Sequence, residues 1–435
     1  MEIKINTIPK ETANIAILII RLDTVLSEFS LFRIFRAINK SNFMNNLNQK
    51  NNYKITYLFF CSMFCLNVFC QSEISFGANQ IQEYYKKIEN KKIAVVCNQT
   101  SIIKAQNKFV HLIDTLLKLN INIKKIFSPE HGFYGIGDNG EKIENSYYNE
   151  SPIEIISLHG SKKKPSNQDL DDIDIVIFDI QDVGVRFYTY LSTLHLVMEA
   201  CAENNKKLII LDRPNPNNFY IDGPVLTENN FSFLGMHPVP IVYGMTIGEY
   251  GMMINGENWL KEGLRCDIDV IKILNYDRNN RYDLPIKPSP NLPNSKSVNL
   301  YPSLCLLEQT PISIGRGTDK QFQIYGHPSF TNYKFNFNPQ PNIGSSKPKL
   351  LNQICFGVDL SDHEEINKIE LKWLINSYKL YKGEKKFFGK YFNKIYGVDN
   401  LEKQLKNGYS ENQIRKSWKK GIESFKLVRK KYLVY

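Results

Sequence analysis

The sequence predicts an α/β fold: a doubly wound parallel sheet joined to a second, smaller α+β C-terminal domain. Three observations carry this. From residue 81 onward, short apolar runs alternate with helically spaced segments, the pattern of parallel βαβ units. Three of those runs end in polar clusters: F-S-P-E-H-G at 127–132, Asp179, Gln181 and Asp182 after 173–178, and Asp212, Arg213 and Asn215 after 208–211. In open parallel sheets the strand fixes the backbone and the following loop carries reactive groups, so three such ends along one edge argue for a site. After about Trp259 the texture changes to Pro- and Asn-rich passages at 284–302 and 325–348, followed by a Lys-rich helical tail.

The elements follow in order. Residues 93–97 read as a strand ending at Asn98, 109–119 as a helix through Val110, Ile113, Leu116 and Leu117, and 123–127 as the strand feeding Glu130. Residues 153–158 supply a strand ending at His159 and Gly160. A helix is expected over 192–204, with Ser192 available as its cap and Leu194, Val197, Met198 and Cys201 on one face. The sheet is Rossmann-like, yet neither G-x-G-x-x-G nor G-x-x-x-x-G-K-[ST] is present, so no dinucleotide or ATP need bind. The expected domains are 76–262, Rossmann-like and catalytic, and 263–435, which completes the cleft. In the latter, 410–425 reads helical, with Ser410 and Gln413 spaced as a capping box, and Tyr432 to Tyr435 as a closing aromatic segment.

With 435 residues, 42% of them hydrophobic, the chain can bury a large core and is not a disordered protein. The net charge of +11 comes mostly from scattered lysines, without a basic helix or a stacking motif, so no nucleic-acid partner is expected. Residues 57–69 are apolar, follow Lys50 and Lys54, and precede Cys70, Gln71 and Ser72, which is the layout of a secretory signal and too short for a comfortable membrane span. The expectation is a signal at 44–70 starting at Met44, with 1–43 an over-extended N-terminus, and a secreted, periplasmic protein without a stable span in the mature chain. Cys70 also suits lipid attachment as a lipoprotein, but the bulky Phe69 before it departs from the small residue such processing prefers, so simple cleavage is favoured. Of eight cysteines, Cys97, Cys201, Cys266, Cys305 and Cys355 lie beyond the signal, too widely spaced for a metal knuckle or an obvious disulfide framework. Most read as small core hydrophobes.

A single glutamate is usually an ordinary loop acid, and the case for Glu130 rests on its company. Asp179, Gln181, Asp182 and Arg186 lie at another strand end, and a parallel sheet brings neighbouring ends within side-chain reach. For Asp179 and Asp182 the structural alternative is a helix cap or an ion pair with Arg186. Phe187, Tyr188, Thr189 and Tyr190 form an aromatic patch that suits a sugar ring and a core equally. Glu308 stands before S-I-G-R-G-T-D, where a Gly-Arg-Gly unit lets backbone approach a ligand while Arg316 offers two parallel hydrogen bonds to a carboxylate; the alternative is a structural turn. His195 and Glu199 have the i, i+4 spacing of a metal pair, but no second histidine supports them and no zinc site is expected.

Taken together, F-S-P-E-H-G-F-Y-G, the later Gly140-Glu141, D-I-Q-D-V-G-V-R-F-Y-T-Y, L-D-R-P-N-P, D-G-P-V-L, G-M-T-I-G-E, P-S-P-N-L-P, Y-P-S-L, G-R-G-T-D and the terminal Tyr432-Leu433-Val434-Tyr435 resemble the exo-β-N-acetylmuramidases, a glycoside hydrolase family, over nearly all of residues 90–435. The resemblance implies removal of N-acetylmuramic acid from the non-reducing end of peptidoglycan fragments, for cell-wall recycling or scavenging, in a cleft between two domains and with no cofactor. Two departures stand out: E-Q-T-P-I-S replaces the more usual E-G-T-N, and His159 sits where the family tends to have tyrosine. Glycoside hydrolysis needs a proton donor at the leaving oxygen and a second group that activates water, attacks, or supports the substrate's own acetamido group. Glu130 is the expected acid or base, with Asp182, Glu141 and Glu308 as candidates for its partner. His131, Asp179, Gln181, Tyr188 and Asn291 are expected substrate contacts, and Arg186 or Arg316 would pair with the lactyl carboxylate of muramic acid. Two rivals remain open: a metal-dependent hydrolase using Asp179, Asp182 and Asp212, and a non-catalytic cell-wall glycan-binding protein.

Overall fold

A computed structural model of the chain describes residues 73–105, 108–138, 140–149 and 151–435, so the expected extension, the signal segment and Cys70 lie outside the described residues. The first nine strands are β1 (Lys92–Cys97), β2 (Ile102–Ala105), β3 (Lys108–His111), β4 (Asn122–Ser128), β5 (Ser146–Tyr147), β6 (Glu154–Ser157), β7 (Ile175–Asp179), β8 (Lys207–Leu211) and β9 (Ile268–Ile271). Seven of them form one sheet in the order β5-β6-β4-β1-β7-β8-β9. All its pairings are parallel except the short β5 against β6. The chain runs outward from β1 through β4 to β6, then crosses to β7 on the other side of β1. That reversal is the topological switch point, where loops after the strands diverge and leave a crevice. Strand β9 lies past residue 262, so the sheet draws its last strand from the segment expected to belong to the C-terminal domain.

The alternation of side chains along each strand explains the two-sided burial. Ile93, Val95, Ile175, Ile177, Ile209 and Leu211 join one apolar cluster with Tyr84 and Ile88 of the helix Ile81–Ile88 and with Leu112 and Leu116 of the helix Leu112–Lys118. Ala94, Val96, Val176, Phe178, Leu208 and Ile210 join the other, together with Leu194, Val197 and Met198 of the helix Tyr190–Glu203. Each fully buried aliphatic side chain contributes about 1.5–3 kcal/mol of burial energy. The second cluster also takes in Trp373, Phe392 and Trp418, so the C-terminal part packs against this face. That part carries the helix Ser295–Leu304, an antiparallel sheet of β10 (Ile324–His327), β12 (Cys355–Asp359) and β11 (Phe335–Phe337) in that order, and a closing helix Glu411–Lys430. Ser410 and Gln413 form the capping box of the last helix as expected.

Two expected elements are corrected. The segment 109–119 is not one helix: β3 pairs antiparallel with β2, and the helix starts only at Leu112, where the His111 ring accepts a bond from the Ile113 N–H. The expected helix over 192–204 begins two residues earlier, at Tyr190, so Ser192 lies inside it rather than capping it. The five cysteines from Cys97 onward are buried and unpaired among the described residues, consistent with small core residues. Among the described residues, no helix is long and apolar enough to cross a membrane.

Candidate active site

At the carboxyl ends of β4 and β7 lies a cavity of about 140 Å³, walled by Glu130, Tyr188, Asn291, Glu308 and Arg316 among others. Glu130 sits in the turn after β4 and is 8% exposed. Its Oε1 accepts from the Gly140 N–H at 3.0 Å and its Oε2 from the Thr189 hydroxyl at 2.7 Å. His159 Nε2 lies 3.8 Å from Oε1. Burial pushes the carboxyl pKa up, but His131, His159 and the two hydrogen bonds outweigh it and leave Glu130 below the usual glutamate range. Near neutral pH it is therefore a carboxylate, suited to accept a proton or to stabilise positive charge.

The loop geometry that presents it is specific. His131 has φ of 70°, a left-handed conformation rare outside glycine, and is held there by exchange with Gly137: its Nδ1 bonds the Gly137 carbonyl at 2.7 Å and the Gly137 N–H bonds its carbonyl at 3.2 Å. Because a carbonyl can only accept, Nδ1 carries the proton, and burial keeps the ring pKa below that of ordinary histidine despite the pull of Glu130. Glu141 is exposed and outside the cavity; its Oε2 accepts from the Asp138 N–H at 2.6 Å, which shapes the turn that aims Gly140 at Glu130.

The far wall comes from the C-terminal half. The Tyr188 and Tyr190 hydroxyls both reach the Pro288 carbonyl, at 2.9 and 3.3 Å, and so dock P-S-P-N-L-P over the β7 loop. Asn291 donates to the Gly344 carbonyl at 2.8 Å while its Oδ1 has no partner among the described residues. Arg316 Nε lies 3.2 Å from Glu308, stacks over Phe322, and leaves Nη1 without a partner among the described residues. Burial works to lower its pKa, but Glu308 more than compensates and holds it above the usual value. The glycines around Arg316 serve the turn rather than a ligand. Each has a positive φ, and a Cβ would strike the Lys320 carbonyl at Gly315 or the Gln340 carbonyl at Gly317.

Several expected site residues lie elsewhere. Arg186, 1% exposed, gives Nη1 to the carbonyls of Pro224 and Val239 and Nη2 to those of Ile395 and Tyr396, each within 3.0 Å. Burial lowers it to about 9, and it is a buried clamp, not a cavity residue. Asp179 pairs with Arg213, not Arg186, through two contacts of 2.6 and 2.9 Å. Gln181 spans to the carbonyls of Asp182 and Pro214. Asp182 accepts from the Gly184 N–H at 2.7 Å and from the Tyr243 hydroxyl, and burial raises it to about 6. None of these three lines the cavity. Asp212 accepts from Thr246, Gly248 and the Tyr435 hydroxyl. The three aspartates of the metal-hydrolase alternative are thus committed to separate internal partners, and no group of three His, Cys, Asp or Glu side chains converges among the described residues. His195 instead bonds His237 at 2.9 Å inside the core.

Ser289, Tyr301 and Gln309 also line the cavity. The first two stand inside motifs visible in the sequence, but neither carries a charge, and nothing in the spacing marks either as facing a ligand.

The comparisons agree with this architecture. Two family models match: the N-terminal domain of exo-β-N-acetylmuramidase NamZ over residues 93–296, and its C-terminal domain over 299–435. The peptidoglycan β-N-acetylmuramidase NamZ of Bacillus subtilis (strain 168) is 33% identical over 376 residues, which is 82% of this chain and 89% of that protein. A crystal structure of a DUF1343 family protein from Bacteroides fragilis superposes with a TM-score of 0.76 at 44% identity, covering 84% of this chain and 99% of that one. A second DUF1343 structure from the same organism gives 0.69 at 26% identity, covering 83% and 99%.

Proposed function

Since the chain belongs to the exo-β-N-acetylmuramidase family of glycoside hydrolases, we propose that it releases N-acetylmuramic acid from the non-reducing end of peptidoglycan fragments. The observation that carries this reading is one small cavity holding both the Glu130 carboxylate and the Arg316 guanidinium. Glu130, kept ionised by its donors, takes a proton from the attacking water or stabilises the positive charge that develops on the sugar ring. Glu308, across the cavity beside Arg316, is the remaining carboxylate there to serve as its partner. Arg316 reads the lactyl carboxylate with Nη1, which has no partner among the described residues, and so distinguishes muramic acid from N-acetylglucosamine. The expected setting is the periplasm, and the expected role is recycling or scavenging of cell-wall fragments.

The test is the ratio of kcat/KM on chromogenic muramic-acid and glucosamine glycosides. The wild type should favour the former strongly, and Arg316→Ala should lose about 2–5 kcal/mol of that preference, as expected for an unpaired buried charge. Failure of the wild type to release the muramic-acid chromophore overturns the reading. An unchanged ratio in Arg316→Ala removes only the assignment of the lactyl contact.

A further inference from the structure

Thr189 occupies the N-cap position of the helix Tyr190–Glu203, yet its side chain caps nothing. Its backbone is already helical, with φ of −65° and ψ of −9°, so its hydroxyl is not set to accept from the first-turn N–H groups and is free for another partner. The Thr189 hydroxyl instead donates to Glu130 Oε2 at 2.7 Å in the cavity wall, a buried contact between residues 59 apart in sequence. Thr189 is 8% exposed, as is Glu130. The other groups facing the carboxylate are the Gly140 N–H on Oε1, His159 at 3.8 Å, and the neighbouring His131.

From this geometry we infer that Thr189 is a positioning residue for the hydrolysis, fixing the rotamer and charge state of Glu130 from the β7 loop. The inference rests on the assignment of Glu130 to the chemistry. The Gly140 N–H comes from the same β4 loop as Glu130. Thr189 stands after β7, at the start of the helix Tyr190–Glu203, so of the two donors it is the one that ties the carboxylate to the sheet's other half. A group whose supporting shell is removed drifts from its productive geometry, and a displacement of 1 Å costs as much as about 100-fold in rate.

The experiment compares wild type, Thr189→Val and Thr189→Ser on the chromogenic muramic-acid glycoside across pH, with the Glu130 carboxyl titrated by carbon NMR on glutamate-labelled protein. Valine keeps the shape and removes the donor. Its kcat should fall about 10- to 100-fold with KM nearly unchanged, and both the acidic limb of kcat/KM and the NMR titration of Glu130 should move to higher pH. Serine should restore both. An unmoved Glu130 titration in Thr189→Val, or a loss of rate that serine does not restore, overturns the inference. If the wild type itself releases no chromophore, the muramidase reading fails, while the NMR titration still decides whether Thr189 holds Glu130.

Discussion

At the residue scale, Glu130 and Asp182 are two buried acids whose surroundings push them in opposite directions. Glu130 is held low by donors and two imidazoles, whereas Asp182 is raised to about 6 by burial, with Oδ1 unpartnered among the described residues. Glu130→Gln should therefore lose about 100- to 10,000-fold in kcat while melting at the wild-type temperature, because shape is kept and proton transfer is not. A mutant turning over at near the wild-type rate would falsify its role. Asp182→Asn should keep kcat near wild type, since an amide oxygen still accepts from Tyr243 and Gly184. For a carboxyl whose folded pKa lies above its unfolded value of about 3.9, the stabilising contribution is complete below that value and lost as pH rises through about 6. Melting curves of Asp182→Asn should accordingly fall less steeply than wild type between pH 4 and pH 7. A collapse of turnover comparable to Glu130→Gln would place Asp182 in the chemistry after all.

At the element scale, Arg186 joins three segments through four carbonyl bonds, those of Pro224, Val239 and the end of the helix Phe392–Tyr396. The packing around it is tight: at Gly397, with φ of 106°, a Cβ would fall 2.6 Å from the guanidinium. Arg186→Met leaves those carbonyls without their donor, partly offset by relief of a buried charge, for a net loss on the order of 2–4 kcal/mol in chemical denaturation. Lysine should not rescue it, since a single ammonium cannot reproduce the planar fork. The folded variant should retain the wild-type preference for muramic acid, and a lost preference would return Arg186 to the substrate. Lys349 plays a parallel part nearer the cavity, where its ammonium donates to the carbonyls of Glu308, Thr310 and Ile312 and so holds the loop that carries Glu308.

At the scale of the whole molecule, the C-terminal residue closes onto the sheet. The Tyr435 hydroxyl donates to Asp212 Oδ2 at 2.8 Å and accepts from the Ile273 N–H at 2.8 Å, while its main-chain oxygen receives Arg278 and its N–H faces Glu249. Asp212 stands at the end of β8, and burial raises it to about 6. Tyr435→Phe removes a donor that stabilises the ionised form, so it should cost about 1–3 kcal/mol near pH 7 and clearly less near pH 4, where Asp212 is protonated. Thermal melts at the two pH values measure this, and an equal drop at both would mean that the hydroxyl acts through packing alone.

What the sequence by itself determined is what depends on local order. Apolar periodicity and strand-end polarity marked the parallel sheet, the capping box at Ser410 and the strand-end position of Glu130, because each is set by residues within one turn or one strand of each other. Charge and strand-end placement also marked Arg186, Asp179 and Asp182, but could not separate a cavity residue from a buried clamp. Partners far along the chain decided that. Arg213 took Asp179, the carbonyls near Gly397 took Arg186, and Tyr243 took Asp182. The cavity likewise exists only once Tyr188 and Tyr190 dock Pro288 over the sheet and bring Asn291, Glu308 and Arg316 opposite Glu130. A buried polar group takes whichever donor or acceptor the fold delivers, since leaving it unpaired costs more than any local preference, and only the tertiary structure settles which one arrives.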